Sequence, residues 1–335
     1  MPEIRKDPVF DRWVIIASGR GLRPNEFRPG GEVGYACPFC AGNEHLTPPT
    51  IYSLPGARGG WRLRVVRNKY PALVSESSSD NRRHVGVDSV GGIYTRMDAL
   101  GFHEVVIETP EHGRLLEEMP AEAVSDVIKT FMLRIKEIKK DPRIKHVLLF
   151  KNHGRNAGAS LLHPHSQIIA MPLAPLRVIQ EIDGAAAYHR ERGACVFCDI
   201  VAEEISFGKR VVAENSSFLA VAPYASCFSF ETWILPKKHF SHFENIPEAE
   251  AGALAGVLKT ALGKLSASLP DLSYNLIVHT MPVQQPEARH YHWHIEITPK
   301  LTRVAGFEWG TGFYINTVSP EDAAEILNSG RKYKI

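Results

Sequence analysis

Two pairs of cysteines carry the first chemistry in this sequence: Cys37 and Cys40 in Ala36-Cys37-Pro38-Phe39-Cys40, and Cys195 and Cys198 in Ala194-Cys195-Val196-Phe197-Cys198. Neither pair is flanked by the strand-helix-strand pattern of a thioredoxin-like redox motif, so C-x-x-C spacing reads here as metal chelation. Zinc takes four ligands, and each pair therefore requires two further His or Cys from elsewhere. Histidines at matched positions supply them. Cys37, Cys40, His112 and His163 make one Cys2His2 set, and Cys195, Cys198, His239 and His292 make the other. Closed sets of this kind are structural rather than catalytic zinc. A rival for the second set is Glu181, His279, His292 and His294, whose oxygen and nitrogen donors suit iron or zinc. The spacing leaves His292 to either.

A different chemistry is written between Asn152 and Gln167. The loop Asn152-His153-Gly154-Arg155-Asn156-Ala157-Gly158-Ala159-Ser160 is small and polar, so its backbone N–H groups can approach an anion and Ser160 can add a hydroxyl. His163-Pro164-His165-Ser166-Gln167 follows, and alternation along a strand puts His163, His165 and Gln167 on one face. A metal-held His163 would fix His165 two residues on. A carbonyl accepting from one ring nitrogen of His165 would leave the other as a nucleophile.

The elements that position these groups recur in order. Phe102 to Ile107 alternates as a half-buried strand and runs to Pro110-Glu111-His112; Phe230 to Leu235 runs to Pro236-Lys237-Lys238-His239. Eight residues after each of these histidines comes a proline, Pro120 or Pro247, suited to a helix start. Val124, Val127, Ile128, Phe131, Ile135 and Ile138 form an apolar stripe in one helix, ending by Asp141-Pro142. Leu254, Val257, Leu258, Ala261, Leu262 and Leu265 do so in the other, ending at Leu269-Pro270. A strand follows each, His146 to Phe150 and Tyr274 to Val278, and then an H-x-H opens a last one: His163-Pro164-His165 or His292-Trp293-His294. The chain is two copies of one α+β unit, residues 1–180 and 181–335. In the second copy the loop is Met281 to Arg289 without glycine, so that half reads as a non-catalytic scaffold.

Composition excludes several other roles. With 335 residues, 44% apolar and 23% charged, the chain has an ordinary globular balance and length for two domains. Its net charge of +2 and lack of charge blocks give nucleic acid no electrostatic purchase. No apolar run approaches the length of a membrane span. Met1 to Asp7 mixes charges of both signs without an apolar core, so we expect no secretory signal, no membrane partner and a cytoplasmic address.

At His163-Pro164-His165-Ser166-Gln167, preceded by Asn152, Gly158 and Ser160, the chain resembles the galactose-1-phosphate uridylyltransferase family of the histidine-triad superfamily. The likeness runs from Arg5-Lys6-Asp7-Pro8 to about Glu321. It implies two tandem histidine-triad-like units, each an antiparallel sheet with a long amphipathic helix. It also implies a ping-pong reaction in which His165 attacks the α-phosphorus of UDP-glucose, glucose 1-phosphate leaves, and the uridylyl group passes to galactose 1-phosphate. Gln167 and Ser160 match donors to the phosphoryl oxygens, which makes His165, Gln167 and Ser160 the implied catalytic residues. Arg20, Arg23 and Asn68 match nucleotide-binding positions, with Asn152 and Gly158 beside them. Glu181, His279, His292 and His294 match a second metal site, iron or zinc.

Near the C-terminus only Gly306, Phe307 and Glu308 keep the family's sugar-contacting pattern, which implies a homodimer whose partner's Phe307 and Glu308 reach the hexose. The tail Gly310 to Asn316 and the second C-x-x-C are more similar to the family's ADP-glucose phosphorylase branch, which hands the nucleotide to inorganic phosphate. Three readings compete: uridylyl transfer to a hexose 1-phosphate, which leads; adenylyl transfer or phosphorolysis of ADP-glucose, the alternative; and a zinc-stapled nucleotide-binding module in which His165 is only a strand residue. The loop and Gln167 count against the third.

Overall fold

The apolar stripe expected after Pro120 forms α1 (Ala121–Ile138), and its counterpart forms α4 (Ala251–Ser268). The structure is a computed structural model and describes residues 2–10, 12–22, 26, 36–57, 59–75, 87–89 and 91–334. Pro120 is the residue before α1; after Pro247 a short 3-10 turn (Glu248–Glu250) intervenes before α4 begins. Both stripes bury into one apolar core, where Val124, Ile128 and Ile135 meet Leu254, Leu258 and Leu262. Each such aliphatic contributes about 1.5–3 kcal/mol by leaving water.

The strands are β1 (Glu3–Lys6), β2 (Trp13–Ile16), β3 (Thr50–Pro55), β4 (Trp61–Arg67), β5 (Asp88–Ser89), β6 (Thr95–Asp98), β7 (Phe102–Ile107), β8 (His146–His153) and β9 (His165–Met171) in the first half. In the second they are β10 (Val211–Glu214), β11 (Phe218–Val221), β12 (Thr232–Pro236), β13 (Tyr274–His279) and β14 (His294–Pro299). Helices α2 (Leu176–Arg192) and α3 (Val196–Phe207) join the halves, and α5 (Gly306–Thr311) and α6 (Pro320–Ser329) end the chain.

β2-β1-β6-β5 form a small sheet, and the other strands form one ten-stranded sheet in the order β10-β11-β12-β14-β13-β8-β9-β7-β4-β3. All these pairings are antiparallel. The order is symmetric about the β13·β8 seam: β7, β9 and β8 on one side stand where β12, β14 and β13 stand on the other. The sheets of the two halves are therefore continuous rather than separate, because Tyr274 to Val278 pairs with His153 to Leu149. The division at 180/181 falls within α2.

Alternation gives the sheet two different faces. Val106, Leu149, Ile168, Leu276 and Ile295 point into the core beneath α1 and α4. Val105 and Ile107 point to the other side, with Phe39. On that side α2 and α3 cover the second half, where Ala185, Phe197 and Val201 pack on Leu219, Val221 and Leu235. Among the described residues no α-helix covers the first half there. No helix among the described residues is long and apolar enough to cross a membrane.

Candidate active site and metal clusters

Both C-x-x-C pairs find their histidines. Ligand atoms of Cys37, Cys40, His112 and His163 gather within 4.8 Å of one another, as do those of Cys195, Cys198, His239 and His292. His112 Nδ1 lies 3.5 Å from Cys40 Sγ, and His163 Nδ1 lies 3.7 and 3.6 Å from the sulfurs of Cys37 and Cys40. In the second cluster His239 and His292 Nδ1 lie 3.4 and 3.6 Å from Cys198 Sγ. Tetrahedral zinc with ordinary Zn–S and Zn–N bonds separates sulfur from nitrogen by about 3.6 Å, so both clusters fit that ion.

The outer nitrogens agree with this assignment of donors. His163 Nε2–H donates to Thr109 O at 2.8 Å and His239 Nε2–H to Ala288 O at 2.9 Å, leaving each Nδ1 lone pair toward the sulfurs. Burial pushes the Cys37 thiol up to about 12, so a thiolate there needs a cation beside it. Burial also pushes His163 down to about 4, which keeps the ring neutral and able to ligate.

His292 thus falls among the thiolates. The rest of the rival set forms a third cluster of Glu181, His279 and His294. His279 Nδ1 meets Glu181 at 2.8 Å and its Nε2 meets Glu296 at 3.1 Å, so both of its nitrogens face carboxylates. Tyr291 donates its hydroxyl to the other oxygen of Glu181 at 2.8 Å.

A cavity of about 370 Å³ opens over the first half, lined by Arg20, Asn68, Asn152, Gly158, Ser160, His165 and Gln167 among others. The sequence brings all seven to one place. Arg23 lies outside the described residues, and Phe307 and Glu308 are not among the lining residues. Phe307 is exposed, and Glu308 accepts from the N–H of Ala305 at the start of α5.

His165 opens β9 with only its cavity side accessible. Its Nδ1 lies 2.8 Å from His163 O; a carbonyl only accepts, so Nδ1 carries the proton and Nε2 keeps the lone pair. Burial, reinforced by the positive charge of Lys151, holds the ring below the usual histidine range and therefore neutral. Phe39 packs edge-on at 5.2 Å between centroids.

Beneath β9, Lys151 Nζ donates to Glu108 at 2.7 Å and to His165 O at 3.3 Å, and Ser166 Oγ donates to the same carboxylate. Nothing in the sequence pattern points to this buried network, because strand alternation marks these positions only as inward. Asn275 is unmarked too. From β13 its Nδ2 donates to Asn152 Oδ1 at 2.8 Å and Ala157 O at 3.0 Å, so the second half shapes the loop of the first. Gly154 is required in that loop, since its φ is +79° and a Cβ would run into Ser273.

The second half repeats the geometry and closes it. Phe197 and His294 centroids lie 5.1 Å apart, and His294 Nδ1 faces His292 O at 3.3 Å. Register equates Val105 beside Gln167 with Trp233 beside Glu296. Trp233 fills the space that Val105 leaves, packing 5.0 Å from His294, and His279 stacks on the same ring at 4.4 Å. His294 is left 2% exposed, against 9% for His165.

Comparison with known proteins agrees with the geometry. A family model described as galactose-1-phosphate uridyl transferase, N-terminal domain, matches residues 35–175, and one described as a domain of unknown function matches residues 118–330. An ADP-glucose phosphorylase of Arabidopsis thaliana is 38% identical over 333 residues, 97% of this chain and 92% of that protein. A galactose-1-phosphate uridylyltransferase of Thermotoga maritima is 29% identical over 335 residues, 98% of each chain. The crystal structure of an A. thaliana ADP-glucose phosphorylase with bound ADP-glucose matches with a TM-score of 0.77 and 37% identity, covering 100% of both chains. This chain belongs to the galactose-1-phosphate uridylyltransferase family and is an enzyme of the nucleotidyltransferase class.

Proposed function

We propose that the chain transfers a nucleotidyl group from a nucleoside diphosphate glucose through a covalent intermediate on His165. The observation that carries this reading is the single bond from His165 Nδ1–H to His163 O, which leaves Nε2 as the only lone pair of that ring, beside Gln167 and the loop from Asn152 to Ser160. Nε2 attacks the α-phosphorus, and the bond from phosphorus to the bridging oxygen breaks. Sugar 1-phosphate leaves with that oxygen. Positive charge formed on the ring is stabilised through Nδ1–H and the His163 carbonyl. Gln167 and Ser160 donate to the phosphoryl oxygens as charge develops there. An acceptor phosphate oxygen then attacks the same phosphorus and frees Nε2. Arg20, Arg23, Asn68, Asn152 and Gly158 hold the nucleotide.

For base and acceptor we favour adenine and inorganic phosphate, because the relative named ADP-glucose phosphorylase is 38% identical against 29% for the uridylyltransferase. Uridylyl transfer to galactose 1-phosphate is the second reading, supported by Gly306, Phe307 and Glu308.

Zinc would be held by Cys37, Cys40, His112 and His163, and by Cys195, Cys198, His239 and His292, and would supply rigid cross-links. Iron at Glu181, His279 and His294 is the alternative for the second half. We read the symmetric halves as two histidine-triad-like units, 1–180 and 181–335, linked through α2. A homodimer formed over the exposed Phe307, Trp309, Phe313 and Ile315 follows from the same reading, as does a cytoplasmic location from five unpaired cysteines.

The test is incubation with ADP-glucose or UDP-glucose labelled at the α-phosphate. Acid-labile, base-stable label on the protein supports the covalent step, and the nucleotide that leaves it identifies the base. No label from either donor would overturn the reading.

A further inference from the structure

We propose that His103 is a positioning residue for the transfer: it selects which end of the Gln167 amide faces the nucleotide cavity. The inference rests on the reading of Gln167 as a phosphoryl donor. The backbone N–H of Ala72 reaches His103 Nδ1 at 3.0 Å, so Nδ1 must accept. Arg20 Nη1, 3.5 Å away, is a second donor on the same side. A neutral imidazole that accepts at Nδ1 carries its proton on Nε2.

That nitrogen lies 2.9 Å from the Gln167 amide, and a donor there demands the oxygen. Gln167 Oε1 therefore points at His103 and its NH2 points away. Asn68 works in the same sense. Its Oδ1 accepts from Tyr70 N at 2.8 Å, which makes Nδ2 its donor end, and Nδ2 lies 3.4 Å from Gln167 Oε1. Asn68 Nδ2 and His103 Nε2 are only 3.0 Å apart, as two donors converging on one oxygen would be.

The selection is necessary because shape cannot make it. The two ends of a glutamine amide are nearly isosteric and its last torsion is broadly two-fold. Turned over, Gln167 would present a carbonyl to the phosphoryl oxygens and repel them. Gln167 lines the cavity and its Nε2 has no hydrogen-bond partner among the described residues, as an amide held for a ligand would be. The second half shows the pair undone: register places Glu231 and Glu296 where the first half has His103 and Gln167, and two carboxylates offer no such donor.

The experiment compares kcat and KM of the intact enzyme with those of His103→Phe, His103→Gln, Gln167→Ala and the double variant His103→Phe/Gln167→Ala. Losing a buried donor predicts about a tenfold fall in kcat for His103→Phe with little change in KM. His103→Gln keeps a donor near the Nε2 position and should recover most of it. The double variant should be no slower than Gln167→Ala, since His103 has nothing left to orient. Additive losses, or wild-type kcat in His103→Phe, overturn the inference. Wild-type kcat in Gln167→Ala instead overturns the catalytic reading of Gln167. Nitrogen-15 chemical shifts of the wild-type ring stand apart from both and from the folding of any variant: the Nε2–H tautomer is expected, and Nδ1–H overturns the assignment.

Discussion

The Nδ1–H of His165 donates to the backbone carbonyl of His163 at 2.8 Å, while the ring of His163 turns its own Nδ1 toward the sulfurs of Cys37 and Cys40. One residue thus serves the Cys2His2 cluster with its side chain and the proposed nucleophile with its main chain. Whatever fixes the first cluster also fixes the tautomer and aim of His165.

His165→Asn should separate chemistry from architecture. The side chain bonds the His163 carbonyl and, on the proposed mechanism, a phosphorus, but not the cluster, so metal content and thermal stability should stay near wild type. Turnover should fall by about 10³-fold or more, with no covalent nucleotide recoverable. Near-normal turnover by this variant would falsify the covalent mechanism.

The two metal clusters should respond unequally. Cys37→Ser and Cys195→Ser should each lose one metal ion and lower Tm by about 5 °C or more. Only Cys37→Ser should also depress kcat of the remaining folded enzyme, because only His163 has the proposed nucleophile bonded to its carbonyl. Metal analysis alongside kcat decides this. If Cys195→Ser keeps its metal and Glu181→Ala loses it, the iron-type site through Glu181, His279 and His294 is the correct one.

Much of this was legible because the signals are local. Phe102 to Ile107 is a strand over the expected residues, α1 stops just before Asp141-Pro142, and the matched spacing of His112 and His239 reports two clusters. The rest depends on contacts that periodicity cannot encode. The β8·β13 pairing joins two strands separated by α2, α3 and α4, and nothing in either strand's alternation marks which edge meets which. α2 has one fully buried residue, Ala185, and so little stripe to read. His103 looks like any inward strand residue until the loop at Ala72 brings an N–H to it.

The third cluster makes a prediction about pH. Burial alone would push His279 down, but the hydrogen bonds its ring donates to Glu181 and Glu296 hold it up at about 9. A histidine raised from 6.5 stabilises the fold fully below 6.5, and that contribution is lost as pH rises through about 9. Denaturation midpoints should therefore fall between those pH values, and His279→Gln should flatten the slope. A metal bound to His279 reverses the sign, since the ring must then lose its proton to bind. Stability that rises over this range sinks the ion-pair account.

The last prediction concerns assembly. α5 presents Phe307 at 53% and Trp309 at 79% exposure, with Phe313 and Ile315 beyond it, a density of apolar surface that water does not favour. Neither Phe307 nor Glu308 lines the cavity of its own chain. If the segment meets the sugar of a second subunit, Phe307 packs on the hexose face and Glu308 gives up its bond to Ala305 N for a sugar hydroxyl. An inactive His165→Asn chain mixed with an inactive Glu308→Ala chain should then regain activity after subunit exchange. The hybrid has one site with both the nucleophile and the partner's glutamate intact, which sets the ceiling of recovery at about one quarter of wild-type activity for random exchange. A His165→Asn/Glu308→Ala double variant mixed with wild type should give no such gain. Absence of recovery despite demonstrated exchange, or sedimentation of an active monomer, places the sugar contact within one chain.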